Sequence, residues 1–304
     1  MAVAAVEAEN RGWLYRFWSG TIETLRLTGR ALSHNRAGLV ATWILGFIVV
    51  VSLFAPYVVK LSPPNVLEVY VAPSLKHPLG TDYEGGDILQ QMLVGGQTVL
   101  LVGAVAATLS VLISVTFGAL SAYAGGWTDQ FITGIADIVL TIPIFPLQAV
   151  LAVYLKLQSP ILLAFIIGAL SWPVLLRTVR SQVLSLKERD YIEAARALDL
   201  STAHILFREI LPNMRAYIVM YFVLSMTNAI YSQVGLYLLG FAPLAGHNWG
   251  IMLNLAWFRG AIFYKNSLWY IMAPILMISV VQLAMVTMLR SLEEAFNPRL
   301  RSGS

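Results

Sequence analysis

Six apolar stretches, separated by short charged or polar segments, run through the chain from residue 37 to residue 289. A helix needs about 20 apolar residues to cross the roughly 30 Å hydrocarbon layer of a bilayer, and each stretch is about that long. Pro143 and Pro146 lie inside the third stretch and predict a bend, because proline removes a helical hydrogen bond. The predicted spans are 37–59, 98–123, 131–155, 157–176, 217–241 and 266–289. The pattern therefore predicts an all-α, polytopic membrane protein with about six transmembrane helices.

The composition supports a lipid bilayer as the surroundings of these helices. Hydrophobic residues make up 58% of the 304 residues and charged residues only 12%, whereas soluble domains carry roughly a quarter charged residues. The net charge of +4 comes from residues spread between the apolar stretches, with no single basic patch, which argues against a nucleic-acid partner. The chain has no cysteine, which excludes disulfides, thiolate metal ligands and a cysteine nucleophile.

Lysine and arginine are distributed unevenly between the two sets of loops that six spans create. Fifteen of the 20 basic residues fall before the first span, between the fourth and fifth, and after the sixth. Because basic residues concentrate in cytoplasmic loops, both termini are predicted to be cytoplasmic. Residues 1–36 then form a cytoplasmic N-terminal segment and 37–304 the transmembrane domain, with 61–92 and 242–265 external. The basic residues assigned to the external side are Lys60, Lys76, Lys156, Arg259 and Lys265.

The predicted cytoplasmic loop 177–212 is far longer than the few residues needed to join neighbouring helices. Residues 188–198 have helical periodicity, with polar positions at Arg189, Glu193 and Arg196. Asp199 and Leu200 interrupt the helical pattern, and a second short helix follows. Ser201 is placed to cap that helix, and Pro212 suits a turn into the fifth span. The apolar face of the first helix consists of Tyr191, Ala194, Ala195 and Leu198.

This loop resembles the signature loop of ABC-importer permeases, in which Glu-Ala-Ala, a later glycine and a final Leu-Pro recur. The resemblance implies a coupling helix that docks in a cleft of the ATPase subunit; the alternative is a helix that only lies on the membrane surface. Asp199 stands where the family has glycine, and aspartate tolerates positive φ better than most residues do. The coupling residues that the resemblance implies are Glu193, Ala194, Ala195, Arg196, Asp199, Leu211 and Pro212.

A second resemblance, to dipeptide and oligopeptide importer permeases, covers nearly the whole chain after about Gly38. The family usually has arginine between Gly85 and Asp87, and this chain has Gly86 instead, so a tether of the external loop would be missing. The residues that carry the resemblance are His77-Pro78-Leu79-Gly80-Thr81-Asp82, Gly85, Asp87-Ile88-Leu89, Gly125-Gly126-Trp127, Asp129, Asp137, Pro143 and Asn297-Pro298-Arg299-Leu300.

These resemblances imply a permease that pairs with a homologous second permease, two ATPase subunits and an extracytoplasmic substrate-binding protein. Its helices would carry peptides across the cell membrane by alternating access. The chain has no Gly-x-x-x-x-Gly-Lys-Ser/Thr motif, so ATP and Mg²⁺ are expected on the partner subunits, with no cofactor or metal on this chain. Oligosaccharides or nickel remain alternative cargoes, and an ion-coupled secondary transporter is the alternative of another class. A membrane enzyme would need a His, Asp or Ser cluster, which the pattern does not show.

A polar stripe and a single aspartate fall inside the predicted spans. Ser225, Asn228 and Ser232 recur at spacings of three and four in the fifth span, beside Thr227 and Tyr231. Such side chains either bond a neighbouring helix or line a water-filled translocation path. Asp137 in the third span is either a helix-end residue or a partner for a cytoplasmic arginine.

Overall fold

The computed structural model describes residue 29, residues 35–157 and residues 159–296, with the side chains of residues 295 and 296 left out. Most of the predicted segment 1–36 and the match at 297–300 lie outside this part of the chain. Within it the secondary structure is helical, apart from one isolated β-bridge between Thr81 and Asp87. The helices are α1 Arg36–Val58, α2 Ile88–Ala124, α3 Gly126–Thr141, α4 Ile144–Tyr154, α5 Pro160–Lys187, α6 Asp190–Ala197, α7 Thr202–Asn213, α8 Arg215–Leu238, α9 Trp249–Phe258 and α10 Leu268–Phe296.

The described helices supply four to six membrane spans. Helices α1, α2, α5 and α10 are each long and apolar enough to cross a bilayer alone. Two further spans pass the same test as bent pairs, α3 with α4 at 82° and α7 with α8 at 71°. The prediction of an all-α protein with about six transmembrane helices is therefore confirmed.

The third predicted span is broken as its prolines predict. Ile142 has extended backbone angles, φ −92° and ψ 128°, and Pro143 precedes the first residue of α4. The ring of Pro143 crowds the residue before it and disfavours a helical conformation there. The result is one helix that ends at Thr141 and a second that leaves at a steep angle.

Two predicted helix boundaries are wrong. Helix α2 begins at Ile88 instead of residue 98, because the carboxylate of Asp87 caps it by accepting the Gln90 N–H at 2.9 Å. Helix α5 continues to Lys187 instead of ending at residue 176, so the first part of the predicted loop 177–212 is helix. The charges that suggested its end are accommodated by neighbours, since Arg177 pairs with Asp137 and Arg180 with Asp129.

Helix α2 lies at the centre of the fold, and small residues allow other helices to approach it closely. A Cβ on Gly168 of α5 would lie 2.7 Å from the Ala106 carbonyl oxygen, and one on Gly103 would lie 2.9 Å from Ile230 of α8. Both distances are too short for a real side chain, so glycine is required at these crossings. Close backbone approach through small residues is the usual way in which membrane helices pack.

Helix α9 was not predicted, because residues 242–265 were assigned to an external loop. Its first residue, Trp249, is fully buried, and the indole N–H donates to the Met92 carbonyl oxygen of α2 at 2.9 Å. Asn248 caps the helix by accepting the Gly250 N–H at 2.7 Å. This part of the segment therefore packs into the core between α2, α8 and α10.

Candidate functional site

Two short helices, α6 and α7, project from the end of α5 and form what we call the knob, residues 188–213. Ser201 begins α7 as predicted, with its hydroxyl accepting the His204 N–H at 3.2 Å. The middle of α7, Ile205–Ile210, is wound as a π-helix and precedes Pro212. The proline ring would collide with a carbonyl oxygen in a regular α-helix, and the wider winding is one way to relieve such a collision.

The bend between α6 and α7 is a helix end of the Schellman type. Asp199 has φ +53°, the left-handed conformation that glycine adopts most easily. The Asp199 N–H donates to the Arg196 carbonyl oxygen at 2.9 Å, and the Leu200 N–H donates to that of Ala195 at 3.3 Å. The bend expected from the glycine of the permeases that this loop resembles is therefore formed with aspartate at this position.

The inner face of the knob is anchored to the body of the protein. Ile192 of α6 and Ile205 and Ile210 of α7 are at most 1% exposed. They pack in one apolar cluster with Ala119 and Ala122 at the end of α2 and with Val179 and Val183 of α5. Burying such side chains is worth roughly 1.5–3 kcal/mol each, which ties the knob to two membrane helices. A force on the knob is therefore a force on α2 and α5.

Ala195 belongs to this inner face, which corrects the prediction that it shares a face with Tyr191, Ala194 and Leu198. Its side chain is 5% exposed and lies in the same apolar cluster as Ile192. The prediction failed because α6 has only eight residues, which is about two turns, and it carries apolar residues on both sides. Burial of Ile192 decides which side faces inward, and Ala195 follows Ile192 by three residues.

The outer face of the knob is uncovered and carries both apolar and charged side chains. Leu198 is 73% exposed, Phe207 is 60% exposed, and Tyr191 and Ala194 are exposed beside them. Glu193 is also exposed, with no ion pair in the described part of the chain. Several exposed apolar side chains on one small element are typical of a surface that contacts another protein.

Arg196 is exposed like the residues of the outer face, but it also contacts the body of the protein. The guanidinium of Arg196 lies over the ring of Tyr123, 5.7 Å from its centroid, and so turns back toward the end of α2. Leu211 is partly buried against the inner cluster, and Pro212 is half-buried. Arg196 and Leu211 therefore link the knob, to which they belong, to the body of the protein.

Ion pairs that the sequence did not single out hold the same end of the molecule together. Arg180 of α5 makes a two-point contact with Asp129 of α3, which also accepts the hydroxyl of Ser121 of α2. The Lys187 ammonium donates to the carbonyl oxygens of Ala122 and Tyr123 at 3.3 and 3.1 Å. A cation there also complements the negative end of the α2 dipole. In the sequence, Asp129 was noted only as part of a resemblance. Its separation from Arg180 along the chain gave no indication that the two residues form an ion pair.

Asp137 contacts Arg177 through an ion pair, as one of its two predicted roles requires. Both side chains are more than half exposed in the single chain, at 57% and 56%. Charged groups facing lipid are costly, so this face is suited to contact water or another subunit.

The polar stripe of the fifth span lies on α8, and its three residues differ in exposure. Asn228 is exposed, whereas Ser225 and Ser232 are half-buried. Neighbouring polar residues bond other helices instead, with Gln233 donating to the Val99 carbonyl oxygen at 2.7 Å and Gln282 to that of Thr227 at 3.1 Å. Helix bonding therefore accounts for the buried side of α8 and leaves Asn228 on its open side.

The segment 61–92 folds into a compact cap over the start of α2. His77 is 5% exposed, and its Nδ1 lies 2.8 Å from a carboxylate oxygen of Asp87. Asp82 is also buried, and its Oδ1 accepts the backbone N–H groups of Glu84 and Gly86 at 2.9 and 2.7 Å. These contacts give a structural role to His77, Asp82 and Asp87, three of the residues that carry the second resemblance.

Known proteins resemble this chain in both sequence and fold. The family profile described as binding-protein-dependent transport system inner membrane component matches residues 114–302. A second profile, the N-terminal TM domain of oligopeptide transport permease C, matches residues 24–76. A putative peptide permease protein of Brucella suis is 34% identical over 280 residues, which cover 90% of each chain. The oligopeptide transport system permease protein OppC of Bacillus subtilis is 32% identical over 88% of this chain and 87% of its own.

A solved structure extends the likeness to the fold. One chain of the MetNI methionine ABC transporter, in an inward facing conformation, matches with a TM-score of 0.51 at 17% identity. The match covers 67% of this chain and 97% of that one. The chain therefore belongs to the family of binding-protein-dependent transport system inner membrane components, and it is a multi-pass permease subunit of an ABC transporter.

Proposed function

We propose that this chain is one of two homologous permease subunits in an importer of peptides, powered by ATP hydrolysis on two separate ATPase subunits. The names of the Brucella and Bacillus relatives favour peptides over oligosaccharides or nickel as cargo. ATP and Mg²⁺ would bind to the ATPase subunits, because this sequence has no phosphate-binding loop. An extracytoplasmic binding protein would deliver the peptide to the 61–92 side of the molecule.

The orientation that we propose puts the knob and both termini in the cytoplasm. Fifteen of the 20 basic residues support this orientation. Arg180 and Lys187 lie at the knob's end of α5, beside the end of α2. The 61–92 segment, at the other end of α2, would then be external.

The observation that carries the proposal is the contrast between the two faces of the knob. Its inner face is fixed to α2 and α5 through Ile192, Ile205 and Ile210, while its outer face presents exposed Leu198 and Phe207. A firm attachment together with exposed apolar side chains on the outer surface suits an element that transmits motion from a docked partner. Closure of the ATPase subunits would move the knob and, with it, the helices that open the path on one side at a time.

Substitutions on the outer face test this proposal in the reconstituted importer. Ala194→Trp should abolish peptide transport and the ATPase stimulation caused by loaded binding protein, because the new side chain excludes the partner surface. Glu193→Lys should also impair both, because it puts a like charge against any basic residue that Glu193 meets on the partner. Repulsion of several kcal/mol at a close interface weakens docking by about a hundredfold or more. Ala194→Ser and Glu193→Gln are the matched controls, and they should retain most activity.

The buried neighbour provides a contrasting variant. Ala195→Trp should lower the thermal stability of the permease itself, because the side chain has no space against α2 and α5. Ala194→Trp should leave that stability unchanged and still allow pairing with the second permease. If Ala194→Trp complexes assemble and transport peptide at the wild-type rate, the coupling role of the knob is wrong.

A further inference from the structure

A cavity of about 420 Å³ lies at the end of α2 opposite the knob. It is bordered by the 61–92 segment, the first turn of α2 and the residues around the start of α9. Its volume is within the range of small-molecule sites, which are roughly 300–1,000 Å³. Apolar side chains form one part of its lining, and they include Leu244, Ile251, Met252 and Leu255.

The polar part of the lining is acidic. Asp82, Glu84 and Asp87 border the cavity, whereas its lining, all within the described residues, contains no lysine or arginine. The Oδ2 of Asp82 accepts from Gln91 and its Oδ1 from two backbone N–H groups. This carboxylate is only 5% exposed, and it forms no ion pair with any of the described residues. Burial lowers the pKa of His247, which also lines the cavity, so this imidazole adds no charge at neutral pH.

A second feature of the cavity indicates that it receives a hydrogen-bond acceptor. Asn248 lines it and is fully buried. The Oδ1 of Asn248 accepts the Gly250 N–H at 2.7 Å, but its Nδ2 has no hydrogen-bond partner within the described ranges of the chain. Buried amide donors without a partner are uncommon, and each calls for an explanation such as a bound molecule.

The absence of a side chain at Gly86 keeps the cavity open beside Asp82. A Cβ at Gly86 would lie 3.1 Å from the Asp82 Oδ2 and 2.8 Å from the Gln91 Nε2. The backbone of Gly86 does not have positive φ, and the atoms nearest to this Cβ position are the ends of the Gln91 and Asp82 side chains, so a larger residue would displace them and occupy this part of the cavity. An arginine here, as in the permeases that the sequence resembles, would place a cation on Asp82 and fill this space.

We propose that this cavity binds the N-terminal residue of a peptide. Its α-ammonium group would lie against the carboxylates of Asp82 and Glu84, and its carbonyl oxygen would accept from the Nδ2 of Asn248. The side chain of that residue would rest on the apolar lining at Ile251 and Met252. The inference rests on the proposed function, because it takes the peptide to be the cargo.

Direct binding to the permease tests the proposal without interference from the binding protein. The full importer complex in nanodiscs, without its binding protein, is titrated with radiolabelled trialanine and with N-acetyl-trialanine. Wild type should bind trialanine about tenfold or more tightly than the acetylated peptide, because acetylation removes the cation that the carboxylates attract. Equal binding of the two peptides, or no binding of either, would overturn the proposal.

Variants identify the groups responsible. Glu84→Gln should weaken trialanine binding about fivefold or more, and since Glu84 is exposed this change does not threaten folding. Asn248→Ser removes the amide donor but keeps a helix-capping oxygen, and it should weaken binding to a similar extent. Gly86→Arg should abolish binding. Glu68→Gln, which removes another carboxylate of the same segment from its contact with Lys76 outside the cavity, should bind like wild type.

The outcomes separate this proposal from the proposed function. If the wild-type complex with its binding protein imports trialanine, but Glu84→Gln and Gly86→Arg bind trialanine as wild type does, only the cavity proposal is wrong. If the complete wild-type complex imports no peptide, the proposed function is wrong, whatever the nanodisc titrations show.

Discussion

Asp199 shows how one residue shapes the knob. A residue with a side chain has a strained backbone at φ +53°, because its Cβ approaches a neighbouring carbonyl oxygen. Aspartate tolerates this conformation better than most residues, and two backbone hydrogen bonds close the bend around it. The position therefore requires a residue that accepts positive φ, and glycine is not the only one that does.

Substitutions at Asp199 should separate backbone conformation from side-chain chemistry. Asp199→Gly should preserve transport and change the stability of the permease by no more than about 1 kcal/mol, since glycine adopts this conformation freely. Asp199→Val should destabilise the bend by about 1–3 kcal/mol, because a β-branched residue fits poorly at positive φ. Peptide-stimulated ATP hydrolysis and thermal unfolding of the reconstituted complex measure both effects. A fully active Asp199→Val variant would contradict this account.

Residue-level prediction from the sequence was limited by the shortness of α6. The sequence identified Glu193, Ala194 and Ala195 as neighbours on one helix, and it placed the bend at Asp199. It could not decide which alanine faces inward, since that depends on Ile192 packing against residues of α2 and α5 that are distant in sequence. The contact of Arg196 with the ring of Tyr123 was not predicted for the same reason, and the assignment of this exposed residue to a partner interface stays a prediction.

At the scale of helices, the predictions were most accurate where length and apolar character alone decide the structure. The predicted bounds of the first, fifth and sixth spans nearly match those of α1, α8 and α10, and the prolines predicted the break between α3 and α4. Helix α9 was missed because ten residues are too few for a membrane span, and its role depends on the burial of Trp249. The extension of α5 was missed because its charges are neutralised by residues of α3, which a linear pattern does not reveal.

The contact between Arg180 and Asp129 should hold α5 and α3 together. Either Arg180→Met or Asp129→Asn should lower the midpoint of thermal unfolding. Each change leaves the charged side chain of the other residue partly buried and without its ion-pair partner. A double-mutant cycle of these changes should give a coupling energy of roughly 1 kcal/mol or more. The more exposed pair of Arg177 and Asp137 is the matched comparison, and a cycle there should give a smaller value. Equal coupling energies for the two pairs would contradict the structural roles assigned here.

At the scale of the whole molecule, α2 connects the two functional regions. Its 37 residues extend about 55 Å at 1.5 Å per residue, which exceeds the full thickness of a bilayer. Its first turn borders the acidic cavity through Gln90 and Gln91, and its last turns pack against the inner face of the knob through Ala119 and Ala122. A movement of the knob can therefore reach the opposite end of the molecule along one continuous helix.

The orientation of this arrangement in the membrane is open to a direct test, because the chain has no native cysteine. Leu75→Cys in the 61–92 segment and Ala203→Cys in the knob place single thiols at exposed positions at opposite ends of α2. The charge distribution predicts that an impermeant maleimide labels Leu75→Cys in intact cells and Ala203→Cys only in inverted membrane vesicles. Ser114→Cys, at a fully buried position on α2, should remain unlabelled in both and serves as the control. Labelling of both exposed positions from one side would show that the knob and the acidic cavity share a membrane face, and the proposed delivery of peptide and energy from opposite sides would then be impossible.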